Sequence, residues 1–348
     1  MNPLVGIFYH AVGGFAAGSF YIPYKRVQNW AWEVYWLSGG FFAWIVMPVL
    51  VSILAVPQVF EFLSKIPLKM MVWPYIFGFL WGIGGLTFGL TMRYLGMSLG
   101  MAIALGLTAT FGTLVPPAYF GRFGELLAHT SGLVTLGGVA VCLVGIALTG
   151  RAGMIKDKEQ SEEIKKGHIE EFNFKKGMLV ALLAGVMSAC FAFGIAAGKP
   201  IAQMAIENGA PVLYSNSPSY IFIMAGGFST NLIWCLFLGI KNRTIGDFIK
   251  RKNTPVFINY LFSALAGITW YFQFMFYGMG TIQMGEYDFA SWTIHMAFII
   301  TFSNMWGLVL KEWKGSSNRV IRAIVLGLLT LVVSTVIIGI GNYIQLFE

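Results

Sequence analysis

Long apolar runs separated by short polar connections organise this chain. The runs fall at about 4–22, 34–56, 72–92, 97–118, 131–150, 178–198, 213–239, 255–278, 287–310 and 320–343. Each has roughly the twenty residues that carry a helix across a hydrocarbon layer of about 30 Å. Midway lies a polar stretch, RAGMIKDKEQSEEIKKGHIEEFNFKK, over residues 151–176. The pattern predicts an all-α integral membrane protein with ten transmembrane helices. Residues 1–150 form one five-helix repeat, 151–177 a cytoplasmic polar linker, and 178–348 a second five-helix repeat. An odd number of crossings per half inverts one repeat relative to the other.

The distribution of basic residues tests this division. Connections after the odd-numbered runs, with the run ends beside them, hold 19 of the 23 Lys and Arg; the opposite set holds Lys65, Lys69, Arg122 and Lys199. Basic residues accumulate on the cytoplasmic side, so the linker is expected inside and both termini outside. The net charge is +8 with only 11% charged residues. That charge lies in short connections between apolar spans, which points to a lipid bilayer and away from nucleic acid. No basic segment followed by a cleavage site precedes the first run, so it is expected to remain as a helix. Cys142, Cys190 and Cys235 lie inside apolar runs without paired spacing, which predicts neither a disulfide framework nor a metal site. Nucleotide-loop and HExxH motifs are absent from the sequence, and no enzymatic activity is expected.

Several runs carry polar residues at helical spacing. The eighth places Ser263, Ala266, Trp270, Gln273 and Tyr277 on one face. Flat aromatics beside an amide suit a sugar, whose C–H faces stack on rings while its hydroxyls hydrogen-bond. The seventh holds Asn216, Ser217, Pro218 and Ser219, expected as a proline-interrupted helix of the sort that marks transporter binding sites. The ninth aligns Asp288, Ser291 and His295 after Glu286, with Asp288 expected in its first turn. The first aligns Gly6, His10 and Gly13/Gly14, directing His10 toward the bundle. Ionisable residues inside a span are candidates for function. Asp288, His295 and His10 are therefore candidates of that kind. Trp270, Gln273, Tyr277, Asn216 and Ser219 are the candidates for sugar. Glu33, Arg93, Lys199 and Glu286 are secondary candidates. Gly78, Gly82, Gly85 and Gly89 form a small-residue stripe on the third run, expected to pack closely against another helix.

The runs FYIPYKRVQNWAWE, GLTMRYLGMSLGMAIALG and WYFQFMFYGMG, then YDFASWTIHM and GLVLKEW, resemble the bacterial L-rhamnose–proton symporter family of the drug/metabolite transporter superfamily. The likeness runs from GIFYH at residues 6–10 to the last span. It implies ten helices in two inverted repeats and uptake of L-rhamnose, or a related 6-deoxy sugar, with a proton across the bacterial inner membrane. The proton is the coupling ion, which Asp288, His295 and His10, in that order, are the candidates to carry, and no cofactor is implied. His10, Glu33, Arg93, Lys199, Asp288 and His295 fall in matching stretches, whereas Glu286 and Asn216 depart from the expected pattern. An exporter or exchanger of another small metabolite on the same fold is the competing expectation. Cargo of fixed negative charge would call for a cation inside the cavity, and Lys199 and Arg93 both sit at span ends.

Overall fold

The computed structural model describes residues 2–95, 97–119, 121–159, 173–249, 254–310 and 313–348. It is helical, with no β-strand among the described residues. The long helices are α1 (Pro3–Ser19), α3 (Trp32–Phe41) continuing through a π-turn into α4 (Met47–Ala55), α6 (Leu68–Leu95), α7 (Met97–Tyr119), α9 (Thr130–Glu159), α10 (Phe174–Glu207), α11 (Ser217–Asn242), α12 (Val256–Gln283), α13 (Ser291–Val309) and α14 (Asn318–Gln345). Short helices α2 (Tyr21–Tyr24), α5 (Val59–Lys65) and α8 (Phe123–Ala128) lie in connections. Among the described residues, eight segments are long and apolar enough to cross a membrane. Helix α12 is not among them, consistent with the Ser, Thr, Asn, Gln, Tyr and Trp side chains it carries.

Two details differ from the sequence pattern. Pro218 was expected to interrupt the seventh span, but α11 begins at Ser217 after a 3₁₀ turn (Val212–Tyr214), with Asn216 at its N-cap position. A proline in the first turn costs no helical hydrogen bond, because the N–H it lacks has no partner there. The second span, an unbroken apolar run in sequence, contains the π-turn Phe42–Val46. Pro48 follows it; its missing N–H and bulky ring oppose a regular turn at residue 44, and the helix widens instead.

The chain forms two compact units. One comprises Met1–Phe15, Gly84–Ala189 and Met279–Glu348. Its core gathers Leu126, Val139, Met284, Phe289, Ala290, Ile294 and Ile338. Helices α9 and α14 pack along their length through glycines: Gly138 and Gly145 abut Ile338 and Leu331, and Gly327 and Gly341 abut Thr149 and Thr135. In lipid, where apolar surface alone gives little drive for association, such close backbone approach supplies the packing energy. Carboxylates join this pair at both ends. Glu159 accepts from Ser317 Oγ at 2.6 Å and from Ser317 N at 3.2 Å, just before α14. Glu348 accepts from Ser131 Oγ in the first turn of α9, a bond that holds its carboxyl below the usual range.

The second unit comprises Ala16–Ile83 and Cys190–Gly278. Val56, Val59, Phe62, Ile66, Ile201, Ala205 and Ala210 form one core, and Met47, Val51 and Tyr271 another. The glycine stripe of α6 behaves as expected over its first half. A side chain on Gly78 would strike the Ile223 carbonyl, and one on Gly82 would meet Thr230 and the Gly227 carbonyl, so α6 and α11 pack backbone to backbone. Gly85 and Gly89 face open space.

Candidate functional site

The second unit collects the aromatic residues at its centre. Trp270 on α12 is half-buried and stacked on Phe20, ring centroids 4.8 Å apart and 10° from parallel. Trp44 and Trp36 lie 4.9 and 5.1 Å from the same ring, tilted by 60° and 50°. Trp81, Phe191 and Phe274 continue the cluster, with Trp81 5.1 Å from Phe191 and 5.3 Å from Phe274. Tyr277, one turn beyond Gln273 on α12, lies 6.3 Å from Phe191. Tilted and edge-on pairs at these separations are attractive beyond the area they bury.

Polar atoms are set among these rings. Gln273 is buried, and among the described residues its amide makes no hydrogen bond. The same holds for the Asn216 side chain, whose Nδ2 is beside Gly278. Ser219 donates to the Gly198 carbonyl at 2.9 Å, and Tyr220 donates to the Phe274 carbonyl at 2.9 Å, which fixes the start of α11 against α12. Trp36 Nε1 donates to Asn231 Oδ1 at 3.0 Å. Trp44 Nε1 is buried without an acceptor among the described residues. A buried donor left unpaired costs about 1–3 kcal/mol unless a ligand or water accepts from it. Trp270, Gln273, Tyr277, Asn216 and Ser219, expected together, thus belong to one region. Trp44, Trp36 and Phe20 join them unanticipated. Two surface grooves, about 420 Å³ beside Ile103, Leu107 and Ile146 and about 250 Å³ beside Phe41, Phe42 and Phe228, include none of the candidate residues.

The titratable candidates lie in the first unit. His10 and His295 are both buried, with ring centroids 5.9 Å apart at 64°. His295 also hydrogen-bonds the main chain of His10. Gly280 on α12 forms the floor under His10. A Cβ there would lie 2.6, 2.7 and 2.9 Å from Cε1, Nε2 and Nδ1 of the ring. The first turn of α13 is anchored around the pair: Trp292 Nε1 donates to the Thr108 carbonyl at 3.0 Å, and the Thr293 and Thr113 hydroxyls meet at 2.6 Å. Asp288 is half-buried and lies not in α13 but in the 3₁₀ segment Gly285–Ala290 before it.

Among the secondary candidates, Glu33 is 4% exposed although it stands in the first turn of α3. Its Oε1 accepts from Asn242 Nδ2 at 2.9 Å and Thr244 Oγ1 at 2.8 Å, tying α3 to the end of α11. Lys199 is exposed on α10. The side chains of Arg93 and Glu286, and the linker sequence SEEIKKGHIEE, lie outside the described residues.

A helical membrane protein with an aromatic and amide cluster and a buried histidine pair fits many transporters. Comparison with known proteins decides among them. The family model described as L-rhamnose-proton symport protein matches residues 2–343. The chain belongs to that family. A protein of Yersinia pestis (strain Pestoides F) named L-rhamnose-proton symporter is 40% identical over 343 residues, covering 97% of this chain and 98% of the relative. One of Citrobacter koseri with the same name is 38% identical over 340 residues, covering 97% of each. The family is one of symporters, not enzymes.

Proposed function

We propose that this protein imports L-rhamnose, or a related 6-deoxy sugar, together with a proton across the bacterial inner membrane. The observation that carries the proposal is the family match over almost the whole chain, with relatives at 40% identity that bear the symporter name. Rhamnose is uncharged, so its site needs hydroxyl partners and an apolar surface rather than a counter-charge. The cluster around Trp270 offers both. Trp270, Trp44 and Tyr277 supply ring faces for the C–H face and C6 methyl of the sugar. Gln273, Asn216, Ser219 and the Trp44 indole N–H serve its hydroxyls. Phe20 covers one face of Trp270, and a sugar reaching that face displaces it.

Uphill import takes energy from the proton. One elementary charge crossing 100 mV contributes about 2.3 kcal/mol, which supports roughly a 50-fold sugar gradient at a factor of ten per 1.4 kcal/mol. Coupling requires that sugar and proton bind with mutual preference. Asp288, His295 and His10 are the groups assigned to the proton. The architecture is ten spans in two inverted five-helix repeats, with the linker cytoplasmic and both termini outward. The 19-to-4 division of basic residues supports that orientation.

The test is uptake of labelled L-rhamnose into proteoliposomes with and without an imposed pH gradient. Gradient-dependent accumulation, competed by other 6-deoxy sugars, is the expected result. Accumulation indifferent to the gradient would refute proton coupling. A reporter fused after Glu348 is expected to report the outer face, and activity confined to the cytoplasm would overturn the orientation.

A further inference from the structure

Buried hydroxyls in this protein are mostly satisfied by their own helices. Ser38 donates to the Val34 carbonyl, Ser52 to Pro48 and Thr108 to Ala104, each four residues back. Ser291 is different. Like Thr135 and Ser263, it is fully buried, and its Oγ has no hydrogen-bond partner among the described residues. Its position accounts for this. Ser291 is the first residue of α13, and the chain behind it is 3₁₀, so no α-helical carbonyl four residues back is aimed at the hydroxyl.

The change of helix type at Ser291 also aligns its neighbours. In a 3₁₀ turn the side chains at i and i+3 eclipse, which places Asp288 over Ser291. In an α-helix the side chains at i and i+4 share a face, which places His295 one turn beyond. His295 in turn meets His10. Four side chains able to hold or pass a proton thus follow one another from a half-buried carboxylate to a buried imidazole pair. The turn that carries them is held by Trp292 on Thr108, Thr293 on Thr113 and the Cys142 thiol on the Thr293 carbonyl at 3.8 Å.

We infer that Ser291 is the relay through which the coupling proton passes between Asp288 and the His10–His295 pair. A proton leaves the Asp288 carboxyl for Ser291 Oγ while the proton already on that oxygen passes to a ring nitrogen of His295. Asp288 is left as carboxylate, His295 as imidazolium, and Ser291 as the same neutral alcohol. The reverse transfer restores the starting state. Among the described residues, the titratable groups about this path are Asp288 and His295 on its own segment, His10 on α1 and Cys142 on α9. The inference rests on the symport reading above and adds a residue to it.

The experiment uses the full chain in proteoliposomes, as wild type, Ser291→Ala and Ser291→Thr. Two rates are measured: rhamnose counterflow at equal pH, and rhamnose-driven proton entry followed with an internal pH dye over a range of external pH. Removing the hydroxyl is expected to slow proton entry about tenfold or more and to alter its pH profile. Counterflow should change far less, and threonine, which keeps the hydroxyl, should restore the proton rate. Equal slowing of both rates in the alanine variant would show a structural role and overturn the relay. A wild-type proton rate in the alanine variant, or a threonine variant as slow as alanine, would also overturn it. Wild-type protein that carries rhamnose without any proton entry would instead remove the symport reading, and the relay with it.

Discussion

Replacing Gly280 by alanine separates a ring held in one place from a ring that merely happens to be nearby. In the interior of a helix this change ordinarily stabilises by about 1 kcal/mol, since alanine loses less backbone entropy. Here the new methyl would lie 2.6 Å from His10 Cε1 and 2.7 Å from Nε2. The imidazole has to retreat by roughly 1 Å or leave its rotamer, and overpacking of this kind costs about 1–3 kcal/mol. The net expectation is a loss of about 0–2 kcal/mol, the overpacking cost less the helix-propensity gain, with a changed His10–His295 geometry. Thermal melting of the purified protein reads the first effect, and proton-driven rhamnose accumulation the second. Gly137→Ala is the control: it lies in α9 with nothing within 4 Å of the added carbon, so it should melt slightly higher and transport normally. If Gly280→Ala also melts higher and accumulates rhamnose like wild type, the glycine does not position the histidine and the reasoning fails.

Further outcomes follow from the same contacts. Trp270→Ala should weaken rhamnose binding by about 1 kcal/mol beyond the lost area with the protein still folded; an unchanged dissociation constant by calorimetry would leave the Trp270 stack as packing alone. Asp288→Asn, which mimics the protonated acid, should keep rhamnose exchange and lose accumulation against a gradient, and undiminished accumulation would place coupling elsewhere. Glu33→Ala leaves Asn242 and Thr244 without their common acceptor and should cost about 1–3 kcal/mol; a melting temperature equal to wild type would show that water replaces the carboxylate.

The helical spans were legible because their length and apolarity are set by the bilayer, a constraint strong enough to read without an alignment. The faces of α1 and α12 were legible for a related reason: His10 and Gln273 are too polar for lipid, so they turn inward, and both are buried. Trp44 was not. Its run is almost wholly apolar, so periodicity gave no face to choose, and the π-turn that rotates it inward depends on tertiary packing as well as on Pro48 four residues later. The pairing of His10 with His295 was equally hidden, because residues 285 apart in sequence meet through the packing of whole helices. Pro218 misled in the opposite direction, since a proline within an apolar run gives the same signal whether it breaks a helix or begins one.

The reciprocal carboxylates of α9 and α14 limit how this part of the protein can move. A helix of 30 residues is about 45 Å long at 1.5 Å per residue, longer than the hydrocarbon it crosses, so its two ends reach the headgroup regions or water. Each helix presents an acidic side chain to the start of the other, where unpaired N–H groups and the positive end of the helix dipole favour a negative charge. A slip of one turn, about 5.4 Å, would pull Glu159 away from Ser317 and Glu348 away from Ser131 together, and would carry Gly138 and Gly341 out of register with the side chains they admit. The pair therefore behaves as a ratchet with one position: its helices can bend or roll as a couple, but they cannot slide past one another during the transport cycle.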